Sequence, residues 1–150
     1  MKKVTGFIAI LALALFLVAC GEKESTRTFE LEEGGLKTTM VYTHSGDKVT
    51  RQETENIIPY DSIGIASKEE AQELFDSFIA EFQDIDGLKH EMKYEDSKAV
   101  EYLSIDYEAA DYEQLEGLPG MEFSEDPKDG ISMEKSAELL ESEGFTEVEK

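Results

Sequence analysis

The rhythm of apolar and polar positions changes several times along the chain, and each change predicts an element. From Phe7 to Ala19 the run FIAILALALFLVA is apolar throughout. From Thr28 to Ile57 the rhythm has a period of two: Leu36, Thr38, Met40 and Tyr42 alternate with Lys37, Thr39, Val41 and Thr43. EEGG and HSGD interrupt it and supply glycine where a tight hairpin needs positive φ, so three antiparallel strands in a meander are expected. The period then lengthens. Ala71, Leu74, Phe75, Phe78, Ile79 and Phe82 fall on one helical stripe, read as a core helix lying on a sheet, with Ser67 and Glu70 as a capping box and Gly87 as a left-handed stop.

Alternation returns in LKHEMKYE and VEYLSIDYEA, read as strands four and five, and SMEKSAELLESEGF closes the chain as an amphipathic helix. In that helix Ser132 is the N-cap, Met133, Ala137 and Leu140 face inward, and Gly144 is the stop. The expected fold is α+β: an antiparallel sheet of about five strands (a three-strand meander, a helix, two strands) covered by two amphipathic helices.

The first apolar run is too short for that fold and too short for a membrane. Its 13 residues follow Lys2 and Lys3, whereas a spanning helix needs about 20. A positive start and a short apolar core are the marks of an export signal. It ends in LVAC, which resembles the bacterial lipobox and contains the only cysteine of the chain, Cys20. What this motif implies is diacylglycerol on the Cys20 thiol, cleavage after Ala19 and acylation of the new amino group. One acyl chain holds a protein only marginally and two hold it stably. The expected organisation is a signal peptide over 1–19, a lipidated cysteine and polar tether over 20–27, and one α+β domain over 28–150, on the extracytoplasmic face of a cell membrane.

Removal of the signal sharpens the charge. The whole chain carries a formal −21, and residues 1–19 hold two lysines and no acid, so the mature chain stands at −23. Nucleic-acid binding is disfavoured, since phosphate neutralisation needs clustered Lys and Arg, and anionic lipid is disfavoured for the same reason. The plain reading of the acidity is solubility and self-repulsion; divalent-cation or small-solute binding is the competing one.

No catalytic constellation stands out. The single thiol is taken by the anchor, no Gly-x-Ser-x-Gly elbow occurs, and His44 and His90 lack the i, i+4 partner of a zinc helix. DIDG and EDPKDG lack the alternating acids and the downstream Glu of a calcium loop. No metal ligand, cofactor or catalytic residue is therefore assigned, and the function expected is a non-enzymatic binding or envelope-structural role with a possible envelope protein partner.

The strings YTHSGDKVTRQ, SIGIASKEEA, LEGLPG, DGISM and EGFTEVEK, in this order behind a lipobox, resemble the YehR-like family of small bacterial lipoproteins. The resemblance covers essentially the whole mature chain. It implies an envelope lipoprotein with an α/β fold and no assigned activity.

Apolar residues that neither period explains fall in two loops, IIPYDSIGI and LEGLPGMEF. Exposed apolar residues in loops mark interaction sites, which makes Tyr60, Ile63, Leu118 and Met121 the candidate partner-binding residues. Tucking beneath the loops as satellite packing is the alternative.

Overall fold

Residues 23–118, 121, 123 and 127–149 are described by the structure, a computed structural model. The export signal, Cys20 and Gly120 lie outside the described residues. Six strands form one sheet: β1 (Glu24–Glu33), β2 (Leu36–Ser45), β3 (Lys48–Pro59), β4 (Leu88–Tyr94), β5 (Lys98–Asp106) and β6 (Thr146–Val148). Their order across the sheet is β4-β5-β3-β2-β1-β6, and every pairing is antiparallel. The helices are α1 (Lys68–Ile79), the short α2 (Tyr112–Leu115) and α3 (Met133–Ser142).

The expected meander is present, with two differences. β1 opens at Glu24, so residues read as tether already pair with β2, Glu24 opposite Ser45 and Arg27 opposite Tyr42. The sheet also gains a sixth strand, because Thr146–Val148 adds to the free edge of β1. A bidentate pair fixes that addition: Arg27 Nε and Nη2 donate to the two carboxylate oxygens of Glu147 at 2.7 and 2.6 Å. Each partner stabilises the other's charged form, raising the pKa of Arg27 and lowering that of Glu147.

Register determines which residues share a face. Phe29, Met40, Thr54, Leu103 and His90 form one row across five strands, and Arg27, Tyr42, Gln52, Ile105 and Leu88 form the next. All the helices pack on this face. Met133, Ala137 and Leu140 of α3 and Leu115 of α2 join Phe29, Tyr42 and Ile105 in the main core; Ala71 of α1 joins Ile58, Tyr60 and Ala99 in a smaller one. A bulge between Thr43 and His44 alters the alternation of β3. It allows Val49, three residues from inward Gln52, to be fully buried in the same core.

The helix ends follow the sequence with small departures. Ser67 accepts from the Glu70 amide at 3.2 Å, and the Glu70 carboxylate reaches back to the Ala66 amide at 2.9 Å, one residue before the cap. Helix α1 ends at Ile79 and continues as a 3-10 turn, Ala80–Phe82, so Gly87 does not cap it. Gly87, at φ +77, sits where a Cβ would come within 2.6 Å of the Ala110 nitrogen, and its carbonyl accepts from the Asp106 amide at 2.8 Å. Leu74 departs from the expected stripe: it is exposed, and α1 lies over β4 and β5 at the border of the sheet. At α3, Ser132 caps Lys135, and the β2–β3 turn reaches over as well. Asp47 accepts from the Glu134 amide at 2.9 Å and the Ser132 hydroxyl at 2.7 Å, while its carbonyl accepts from the Met133 amide at 2.7 Å.

Candidate functional site

With the helices gathered on one face, the other face of the sheet is left to solvent. Two rows dominate its centre: Val41, Glu53, Ser104 and Lys89, and beside them Thr39, Glu55, Tyr102 and Glu91. These eight residues line a groove of about 720 Å³, within the range of small-ligand sites. Tyr102 stands in it with 37% of its surface exposed. Its hydroxyl is held by the Glu55 carboxylate, which raises the phenol's pKa. The Lys93 ammonium lies 4.7 Å from the ring centroid and 3.5 Å from Glu91 Oε1. Among the described residues, this is where an exposed aromatic ring, carboxylates, hydroxyls and a groove coincide. Chemically the face can offer hydrogen bonds, charge and an aromatic surface.

A second polar arrangement lies on the covered face, between the two cores. Thr38 Oγ1 donates to Asn56 Oδ1 at 2.7 Å, Asn56 Nδ2 donates to Glu101 Oε2 at 2.7 Å, and Glu101 Oε1 meets His90 Nε2 at 2.7 Å. The His90 side chain is 0% exposed and stacks on Phe82 with centroids 4.8 Å apart. Its Nδ1 has no hydrogen-bond partner among the described residues, nor has the Tyr94 hydroxyl. Nearby, Tyr107 donates to Gln52 Oε1 at 2.7 Å, and burial drives the Tyr107 phenol far up. Burial likewise pushes the Tyr42 phenol up to about 12. Sealed beneath helices, these groups tie strands together.

The loop residues singled out from the sequence separate. Tyr60 is buried in the smaller core, its hydroxyl donating to the Glu95 carbonyl at 2.9 Å. Leu118 is buried in the main core, and Met121 is half-buried against it. Ile63 alone is exposed, at 37%. The exposure that docking requires is thus absent from Tyr60 and Leu118, whose side chains lie in the two cores. The structure does not bring the four together on one surface: Tyr60 and Leu118 belong to different cores. Among the described residues no group of three or more His, Cys, Asp or Glu is arranged to hold a metal, and no helix is long and apolar enough to cross a membrane. The sequence reading missed Tyr102. Its signal was there in the alternation, which set Leu103, Ile105 and Tyr107 in one phase and Tyr102 in the other.

A profile described as a protein of unknown function, DUF1307, matches residues 25–146. The chain belongs to the DUF1307 family. It is 45% identical over 150 residues to an uncharacterized lipoprotein of Listeria monocytogenes, covering 100% of this chain and 98% of that protein. It is 32% identical over 148 residues to the uncharacterized lipoprotein YehR of Escherichia coli, covering 98% and 97%. The NMR structure of E. coli YehR superposes with a TM-score of 0.74 at 32% identity, over 85% of this chain and 93% of that one. An NMR structure of a Streptococcus pneumoniae TIGR4 protein superposes with a TM-score of 0.60 at 19% identity, over 99% of both chains, which is a likeness of fold. The YehR-like resemblance read from the sequence is therefore correct, and this DUF1307 chain sits among full-length relatives that are lipoproteins.

Proposed function

We propose that this lipoprotein is held by lipid on Cys20 at the extracytoplasmic face of a cell membrane, where it acts without catalysis as a binding module whose recognition surface is the open face of the sheet. The observation that carries this reading is the one-sided packing of the helices. They cover one face, and on the other they leave a groove of about 720 Å³ around a half-exposed tyrosine. The lipobox and the lipoprotein names of the relatives support the address. A partner-docking role for the loops is confined to Ile63, the one exposed member of the four.

Two measurements test the reading. Cys20→Ser is expected to leave the chain uncleaved or in the soluble fraction; unchanged membrane fractionation together with cleavage before residue 20 would remove the anchor. With Cys20 blocked by lipid, a single new thiol reports accessibility. Glu53→Cys on the open face is expected to react with a maleimide more slowly in intact cells than in detergent, while Glu138→Cys on α3 reacts equally in both. Equal rates at Glu53→Cys would mean that nothing occupies the face.

A further inference from the structure

The row that contains Tyr102 is unusual in its charges. Register places Glu55 on one side of the ring and Glu91 on the other, each directly opposite Tyr102 on a neighbouring strand. Adjacent strands lie about 4.8 Å apart, so the two carboxylates flank the ring closely with no cation in their row. Cations of this face stand in other rows, Lys89 opposite Ser104 and Arg51 opposite Asp106. An aromatic face between two carboxylates is a place of negative potential. The ring quadrupole attracts an ammonium from above, and the carboxylates attract it from the sides.

The molecule already shows what fits there. Lys93 belongs to the next row, opposite Val100, yet its ammonium reaches diagonally to within 4.7 Å of the Tyr102 ring centroid and 3.5 Å of Glu91. Its side chain remains 57% exposed, on a flexible four-carbon stem that is free to swing away. An exposed cation–π contact contributes only about 0.5–1 kcal/mol, so a competing ammonium has little to displace.

We propose that Tyr102, Glu55 and Glu91 form a seat for a primary ammonium on an alkyl stem, a lysyl side chain of a partner protein, and that Lys93 fills it until the partner arrives. This rests on the open face being the recognition surface. Charge complementarity selects the occupant: a mature chain of formal charge −23 attracts cationic segments and repels acidic ones, and the ring and both carboxylates discriminate in the same direction. Thr39, opposite Glu55, and Val41, opposite Glu53, line the groove and offer their surface to the partner's stem. Lys93 thereby acts as an internal competitor that lowers the apparent affinity for any amine.

The test uses the purified lipoprotein in nonionic detergent, titrated with n-butylammonium chloride and with a capped Ala-Lys-Ala peptide. Sodium butyrate and capped Ala-Glu-Ala serve as controls, and the ring resonances of Tyr102 are followed by NMR. Saturable shifts are expected with both amines and neither acid, weakening as salt rises. Tighter binding of the peptide identifies a lysyl segment as the fitting source; tighter binding of the bare amine would overturn the protein-partner assignment. Lys93→Ala is expected to tighten binding roughly 2- to 5-fold and Tyr102→Leu to weaken it by a similar factor, as removal of about 0.5–1 kcal/mol requires. Because Lys93→Ala gains, misfolding cannot imitate it. No saturable shift, or no change in either variant, would overturn the seat. If the seat fails while Glu53→Cys stays shielded in cells, the open face still binds, through other residues. If Glu53→Cys is unshielded while the amines bind, the partner-protein assignment is overturned and only an amine seat remains.

Discussion

The two faces of the sheet are built from the same strands and differ in what they ask of each side chain. On the covered face, Phe29, Ile105 and Leu115 are fully buried, and the polar groups among them are bonded to one another: Thr38 to Asn56, Asn56 to Glu101, Glu101 to His90. On the open face, charged and hydroxyl side chains alternate along rows, and the largest ring keeps more than a third of its surface in water. The difference separates side chains that hold the fold from side chains that face solvent. Change on the covered face is felt by the fold, whereas the open face is free to vary its chemistry, which is what the proposed recognition surface requires.

The largest effect is expected from truncation in the core. Phe29→Ala removes a fully buried ring that meets Tyr42 edge-on at 6.1 Å between centroids, at about 3–5 kcal/mol. Urea unfolding measures it, and a loss under about 1 kcal/mol would mean that the covered face is not the core. A middle-sized effect is expected at Glu101. Replacement by Ala strips both His90 Nε2 and Asn56 Nδ2 of their partner, and stranding buried polar groups costs about 1–3 kcal/mol. Glu101→Gln keeps the shape and one acceptor, so it is expected to fall between wild type and Ala in the same unfolding series; a Gln variant as weak as Ala would place the whole effect in the charge.

The smallest effect belongs to Asp47, which lies on neither face. Asp47→Ala frees the Glu134 amide and the Ser132 hydroxyl, at about 1 kcal/mol for a lost helix-end acceptor, less in so exposed a place. The Glu134 amide, then the Ser132 hydroxyl, hold the Asp47 carboxyl below the ordinary carboxylate value. Its contribution is therefore complete above that value, about 4, and fades as pH falls through its own lower one. Unfolding of wild type and Asp47→Asn between pH 6 and pH 2 is expected to converge at the acid end. A gap that persists there would assign the effect to shape.

Hairpins, core helix and closing helix are legible because each rests on local chemistry: paired glycines at 34 and 35, serine caps at 67 and 132, and the two periods. What escapes depends on partners far away in the chain. Thr146–Val148 is too short to show a period, and it becomes a strand by pairing with β1, where Glu147 meets Arg27, 120 positions earlier. The burial of Val49 needs the bulge, and the chain from Thr38 to His90 needs the register of four strands at once. Apolar residues in the loops at Tyr60 and Leu118 suggested docking because composition does not say whether a loop folds over its own side chains. The same blindness hid the open face: alternation states which residues are companions, and only the helices decide which set is covered.

The early start of β1 bears on how the domain explores its surroundings. Glu24 already belongs to the sheet, so a chain lipidated at Cys20 has a leash of four residues, at most about 14 Å when taut. That is about half the thickness of the membrane's own hydrocarbon layer. Under the proposed anchoring, such a domain would not cast about through the envelope; it would glide in two dimensions just above the headgroups. A partner moored to the same leaflet would meet it at an effective concentration far above its bulk value, so that even a weak handshake would keep two such neighbours together.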